Sequence, residues 1–241
     1  MGNPPAGMVV KMIGVENESS LHRALKNSYA GEGGKTEIAN GVYICDCVNS
    51  AGDIIEIQTG SFAPLSKKLP RLSGNNRIKI VHPIIEEKHI VLYDNDDKLM
   101  RLRKSPKKGC KWDLFNALVY APLLPLLPGI SVELAIVDVL EERKADGKGS
   151  WRRGGVSVRD KHLQKYKRTI PLCALKDYLQ FIPFKKSETF TAASLADKSR
   201  IKPALARKTI YVLQRLKLIE QIGKCGRSKL FRIAHRRGAG N

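Results

Sequence analysis

Residues 52–60, GDIIEIQTG, put a carboxylate and an amide side by side on one face of an apolar strand. β-Branched residues between glycines predict a strand over 54–59. Alternation then sends Ile55, Ile57 and Thr59 to one side, and Ile54, Glu56 and Gln58 to the other. So apolar a strand must either leave Glu56 and Gln58 in water or give them a task.

The flanking sequence builds a sheet around this strand. Residues 17–30 form a helix with Leu21, Leu25 and Tyr29 on one stripe. Residues 36–48 form two strands about Asn40-Gly41, a type I′ hairpin signal. A turn at 49–53 leads into the opening strand. After it come a short helix in 61–69, capped by Ser61 and closed near Pro70, and a buried strand in 77–85. A hairpin over 89–106 turning at 94–97, a helix in 110–121 and a strand in 130–143 complete a mixed α/β domain. Residues 146–160 are Gly-rich and basic and read as a surface loop, followed by a helical stretch over 159–166. GGKT at 33–36 is no phosphate loop. The full motif needs Gly where Tyr29 stands, and here a helix precedes the loop and a strand follows it.

A five-residue turn at 49–53 pairs Val48 with Ile54, Asp46 with Glu56, and Ile44 with Gln58. Asp46 and Glu56 are then opposed on one face, which is destabilising for like charges, and more so when buried. A divalent cation relieves it, since Mg²⁺ takes hard oxygen ligands, typically one or two carboxylates plus water. Glu18 shares the inward face of the first helix with Leu21 and Leu25 and is a candidate third acid. Glu37 is its rival, paired with Ile44 if Asn40-Gly41 is the turn. The competing reading is a solvated face, and a slip of one residue would part the two acids. Cys45 and Cys47 share a strand face as small core residues. His22 and His82 read as structural histidines.

Asp46, the E-x-Q of Glu56 and Gln58, and the order helix, three strands, helix, strand over about residues 15–83 resemble the PD-(D/E)XK nuclease superfamily. The resemblance implies a restriction-endonuclease-like fold and an Asp46–Glu56 metal site for Mg²⁺, with Mn²⁺ as a substitute. It also implies catalytic roles for Gln58, Glu18 and a lysine. Gln58 stands where the family has its lysine. Some members supply that lysine from the following helix, where Lys67 and Lys68 lie, Lys68 being the preferred choice.

The charge points the same way. Of 241 residues 43 are Lys or Arg and 23 Asp or Glu, a net +20 that suits a polyanionic partner. Five cysteines without CxxC or Cys/His zinc spacing fit a reducing cytoplasm. The start, MGNPPAGMVV, lacks the basic and apolar parts of a signal peptide. The longest apolar run, 114–130, is interrupted by Pro122, Pro125 and Pro128, so no membrane span is expected.

From residue 198 onward there are thirteen Lys or Arg against Glu220 alone. There the order helix (192–198), turn, helix beginning at Pro203, and hairpin about 223–227 resembles a winged helix. Thr191 caps its first helix. The resemblance implies duplex DNA contacts from Arg200, Lys202, Arg207 and Lys208 around the second helix, and from Lys224, Arg227 and Lys229 in the wing. Trp151 beside Arg152 and Arg153 could stack on a base or pack the loop down.

The expectation is therefore a nuclease-like domain over 1–170 and a winged-helix domain over 171–241. Together they make a metal-dependent DNA endonuclease, dimerising if both strands are cut at once. The alternative is a catalytically inactive regulator that keeps the nuclease fold.

Overall fold

The computed structural model describes residues 18–40, 43–74 and 76–234. Helix α1 (Ser20–Ala30) precedes β1 (Lys35–Asn40), β2 (Tyr43–Val48) and β3 (Ile54–Ile57). Then come α2 (Leu65–Leu72), β4 (Ile78–Tyr93), β5 (Leu99–Lys104), α3 (Leu114–Leu118), β6 (Ile130–Lys144) and β7 (Ser157–Leu172). Helices α4 (Ala192–Ser199) and α5 (Pro203–Arg215) and the hairpin β8 (Ile219–Cys225) and β9 (Ser228–Ile233) follow.

The first seven strands make one mixed sheet in the order β1-β2-β3-β4-β6-β7, with β5 also paired to β4. The pairs β3–β4 and β4–β6 are parallel, and the others are antiparallel. Helices cover both faces. On one, Leu21 and Leu25 of α1 pack with Cys47, Ile55, Ile57, Val81 and Val137. On the other, α2 and α3 pack on Ile54, Ile78, Ile80 and Leu134. That second core runs on through Phe181 and Phe190 to Leu195, Leu205, Leu213 and Phe231. The helical unit and the sheet thus share one apolar interior.

The opening strand and its helices form as their patterns require. The α1 cap is Ser19, whose hydroxyl accepts the His22 N–H at 3.3 Å. In α2, Leu65, Leu69 and Leu72 make the buried stripe. Pro70 lies inside this helix, which runs on to Leu72, and its N-cap is Pro64 rather than Ser61.

Four expectations are corrected. Residues 157–172 are the edge strand β7, not partly helix; its many charged side chains on an exposed edge hide the two-residue period. Asn40 pairs with Tyr43 and Ala39 with Ile44, so the β1–β2 connection is residues 41–42, which lie outside the described residues. Glu37, with φ 56°, therefore sits between the Thr36–Cys47 and Ile38–Cys45 pairs, opposite Asp46 rather than Ile44. Cys45 and Cys47 lie in the two different cores rather than together in one.

The β2–β3 register agrees with the sequence: Val48 faces Ile54 and Cys47 faces Ile55. The ladder stops there, one residue short of Asp46 and Glu56. Strand β3 itself ends at Ile57, after which Gln58 N–H donates to the Val81 carbonyl at 2.8 Å. Beyond that level, among the described residues, β4 continues without a strand on this side until β5 joins at His89. Pro83, two residues past Val81, turns its missing donor toward this open edge.

Candidate functional site

The end of β3 gathers the charged groups. Where the β2–β3 ladder stops, Asp46 Oδ2 accepts the Ile57 N–H at 2.7 Å, in place of a strand bond. His22, one turn into α1, brings its Nε2 to 3.3 Å from the same oxygen. Burial pushes the Asp46 carboxyl up, but the His22 and Ile57 hydrogen bonds and the Lys68 charge prevail and hold it below the usual carboxylate range.

Glu18 lies just before the α1 cap. Its Oε1 is 2.8 Å from Lys26 Nζ and 3.9 Å from His22 Nε2. Lys26 is buried in the α1 face and also reaches Glu37 at 2.9 Å. Burial works to lower the Lys26 pKa, yet its two carboxylates raise it. Glu18 and Glu37 thus neutralise a buried lysine, and Glu18 meets Asp46 only through His22.

On the other face Glu56 is 4% exposed. Lys68 Nζ reaches both its oxygens, at 2.7 and 2.8 Å, and donates to the Ile44 carbonyl as well. The α2 stripe explains which lysine arrives: Lys68 flanks Leu65 and Leu69 and leans onto the sheet, whereas Lys67 is exposed. Burial, helped by the Asp46 charge, raises the Glu56 pKa in spite of Lys68. Gln58 spends its amide N–H on the Ser61 carbonyl at 2.6 Å, pinning the β3–α2 turn. The backbone carbonyl oxygen of Gln58 lies 2.6 Å from His82 Nδ1. Burial lowers the pKa of His82.

Two clefts open at this end of β3. One, about 520 Å³, is lined by Glu18, His22, Thr59, Arg159, Asp160 and Lys161. The other, about 330 Å³, lies across the sheet between Thr59, Ser61, His82, Lys88 and Asn116. Among the described residues no three His, Cys, Asp or Glu side chains converge as a metal cage. Asp46 meets His22 of α1 and Glu56 meets Lys68 of α2, so the two acids expected opposed on one face take their partners from helices on opposite faces of the sheet.

Sequence reasoning treated His22 as structural and passed over Lys26. The signal was present: Glu18, His22 and Lys26 recur every fourth residue, beside the Leu21–Leu25 stripe, so all three face the sheet.

In the C-terminal unit, Thr191 caps α4 and Arg200 ends it in the left-handed region at φ 53°. The exposed side of α5, the end of α4 and β9 enclose a groove of about 900 Å³ lined by Arg200, Arg207, Tyr211 and Lys229, with Asp197 the one acid among the described residues. Lys202 is exposed at the start of α5, and Lys224 and Arg227 are exposed on the hairpin. Lys208 turns the other way, donating to Asn116 of α3 at 2.8 Å.

The model of the family described as "Domain of unknown function (DUF8091)" matches residues 19–173. The chain belongs to this family. The DUF8091 region starts at the α1 cap and ends just past β7, so it is the seven-stranded sheet with α1 to α3, and the α4–α5 unit follows it. A Treponema pallidum (strain Nichols) protein described as "Uncharacterized protein" is 28% identical over 217 residues, covering 89% of this chain and 85% of its own length. A match of that span extends beyond the DUF8091 region into the helical unit. No solved structure matches the chain.

Proposed function

We propose that this DUF8091 protein is a divalent-metal-dependent DNA endonuclease of the PD-(D/E)XK kind, with a winged helix that binds duplex DNA. One observation carries the reading. Asp46 and Glu56 come from adjacent strands to the place where the β2–β3 ladder parts, and Lys68 from the crossover helix α2 reaches the buried acid. The order α1, three antiparallel strands, α2 and a parallel β4 is the order that the resemblance requires.

On this reading Asp46 and Glu56 hold Mg²⁺, which would bind the scissile phosphate and lower the pKa of a water. Lys68, on α2, supplies the positive charge that Gln58 cannot. His22 and the Ile57 N–H fix the Asp46 carboxylate and keep it ionised, ready to act as a ligand. The basic groove of the C-terminal unit, with Arg200, Arg207 and Lys229 at its walls, supports duplex binding through α5 and the wing. Lys208 contributes to holding α5 on α3 instead of to that groove.

A second reading has its own observation: each acid already has a side-chain partner, the His22 imidazole at Asp46 and the Lys68 ammonium at Glu56. A protein that keeps those pairs closed would be a non-catalytic DNA-binding regulator. Plasmid incubated with Mg²⁺, Mn²⁺ or EDTA separates the two. Metal-dependent nicking that disappears in both Asp46→Asn and Glu56→Gln, with DNA binding retained, supports the nuclease. Metal-independent retention without any cleavage leaves the regulator, and cleavage at wild-type rate by both variants sinks the site.

A further inference from the structure

At the far end of the long strands five arginines converge on one cleft. Arg101 and Arg103 come from β5, Arg143 from β6, and Arg152 and Arg153 from the β6–β7 turn; with Ile90, Leu92 and Val156 they line about 390 Å³. The register assembles it: Leu92 pairs with both Arg101 and Arg143, and Ile90 with Arg103, so the apolar pair floors the cleft between rows of arginine.

Only part of this charge is balanced. Arg143 Nε bonds Glu141, a carboxylate 3% exposed that also takes Lys88, at 2.8 and 2.9 Å respectively. Arg153 donates to the Val156 carbonyl at 3.1 Å. Among the described residues no carboxylate pairs with Arg101, Arg103 or Arg152. Like charges gathered in a recess repel one another, and a low-dielectric recess focuses their field on whatever anion enters. Guanidinium forks match phosphate oxygens two at a time. Next to Arg152 in the chain stands Trp151, 83% exposed, with the Arg152 guanidinium 5.4 Å from its ring centre. A large aromatic face left so open is available for stacking.

We propose that this cleft binds an unpaired nucleic-acid strand, with phosphates on Arg101, Arg103 and Arg152 and a base stacked on Trp151. Bases inside a duplex are already stacked on their neighbours, whereas a single strand can offer one to an indole. An anionic lipid surface fits less well. The exposed apolar residues Met100 and Leu102 alternate with Arg101 and Arg103 along β5, so apolar and basic groups face opposite ways. Nine residues of β4 separate Val81, level with the end of β3, from Ile90. At about 3.3 Å per residue the cleft lies about 30 Å along the strand from the carboxylates. It is a contact of its own, and it does not depend on the metal reading.

The test uses the full chain in EDTA, with labelled oligothymidylate and a duplex of equal length, followed by fluorescence anisotropy over a salt range. Trp151→Ala, and separately Arg101→Ala with Arg103→Ala, should each weaken oligothymidylate binding by roughly tenfold or more. The arginine pair should also flatten the single-strand salt slope by about 1.4. Duplex affinity should stay near wild type. Trp112 is the only other tryptophan, and its indole N–H is engaged by the Phe181 carbonyl at 3.1 Å. Oligothymidylate should therefore quench emission in the wild type and not in Trp151→Ala, while Trp151→Phe, which keeps a ring, retains most of the binding. Unchanged oligothymidylate affinity in both variants overturns the proposal. So does an equal loss for duplex, or a dependence on Trp151 seen only with phosphatidylglycerol vesicles.

Discussion

Replacing Lys68 by Met removes the cation that pairs with Glu56 while keeping a long apolar stem on α2. Glu56 is 4% exposed, and Lys68 is held by both its oxygens and by the Ile44 carbonyl. Breaking a buried pair from one side costs about 3–5 kcal/mol if the other charge stays. For a chain of this size that is about 6–20 °C of melting temperature, at about 2–4 °C per kcal/mol. The acid has an escape, which is to take a proton. Its pKa is already raised above the ordinary 4.5, so the folded state binds this proton more readily than the unfolded chain. Stability from this group is therefore greatest below the unfolded pKa and falls as pH rises through the folded one. Losing Lys68 pushes the folded value further up and widens that window toward neutrality. Between the two pKa values the slope approaches about 1.4 kcal/mol per pH unit. Melting curves of wild type, Lys68→Met and Lys68→Met/Glu56→Gln across the acid-to-neutral range read this out. The single variant should melt far lower near neutral pH and recover on acidification. The double variant, with no charge left to strand, should regain most of the loss and show no such slope. A single variant that melts with the wild type at neutral pH would refute the buried-pair account.

His22→Ala should act in the opposite pH direction: the Asp46 pKa is depressed, so its stabilisation is present above the unfolded pKa and lost as pH falls through the folded one, and removing His22 should raise the pH of acid unfolding. In the Lys68→Ala background, Gln58→Lys should restore part of any metal-dependent cleavage, scored on plasmid; no recovery would mean that a lysine on β3 cannot replace one on α2. Arg207→Ala should lower the duplex salt slope by about 0.9 while Lys208→Ala leaves it unchanged, because Lys208 is turned to Asn116. Deleting residues 187–241 should lower the melting temperature of what remains, since Phe190, Leu205 and Phe231 belong to the core under α2 and α3; an unchanged melt of the truncated chain would contradict a shared interior.

Much of this could be read in the sequence because it is local. Turn 49–53 fixes the β2–β3 register, Val48 against Ile54 and Cys47 against Ile55. The leucine spacing of α2 fixes which side of the helix faces the sheet, though only packing decides that Lys68 and not Lys67 arrives. Thr191 and Pro203 mark the ends of helices that form where expected. What escaped the sequence depends on tertiary pairing. Strand β7 looks helical because an exposed edge needs no apolar alternation. The β1–β2 turn is displaced by one residue from Asn40-Gly41, since the partner strand, not the dipeptide, sets the register. His22 became Asp46's partner only through the way α1 crosses β2, which no single-helix pattern contains.

Strand β7 also limits how copies of this protein can join. It is sixteen residues long, borders the sheet on one side, and carries Arg159, Lys161, Lys165, Lys167 and Arg168. Two copies meeting edge to edge about a two-fold axis would lay this strand against itself, Lys and Arg against Lys and Arg. Such an edge discourages sheet extension in solution and resists the stacking that begins aggregation. A homodimer is therefore assembled elsewhere than on β7, across the opposite edge at β1, the helices or the loops.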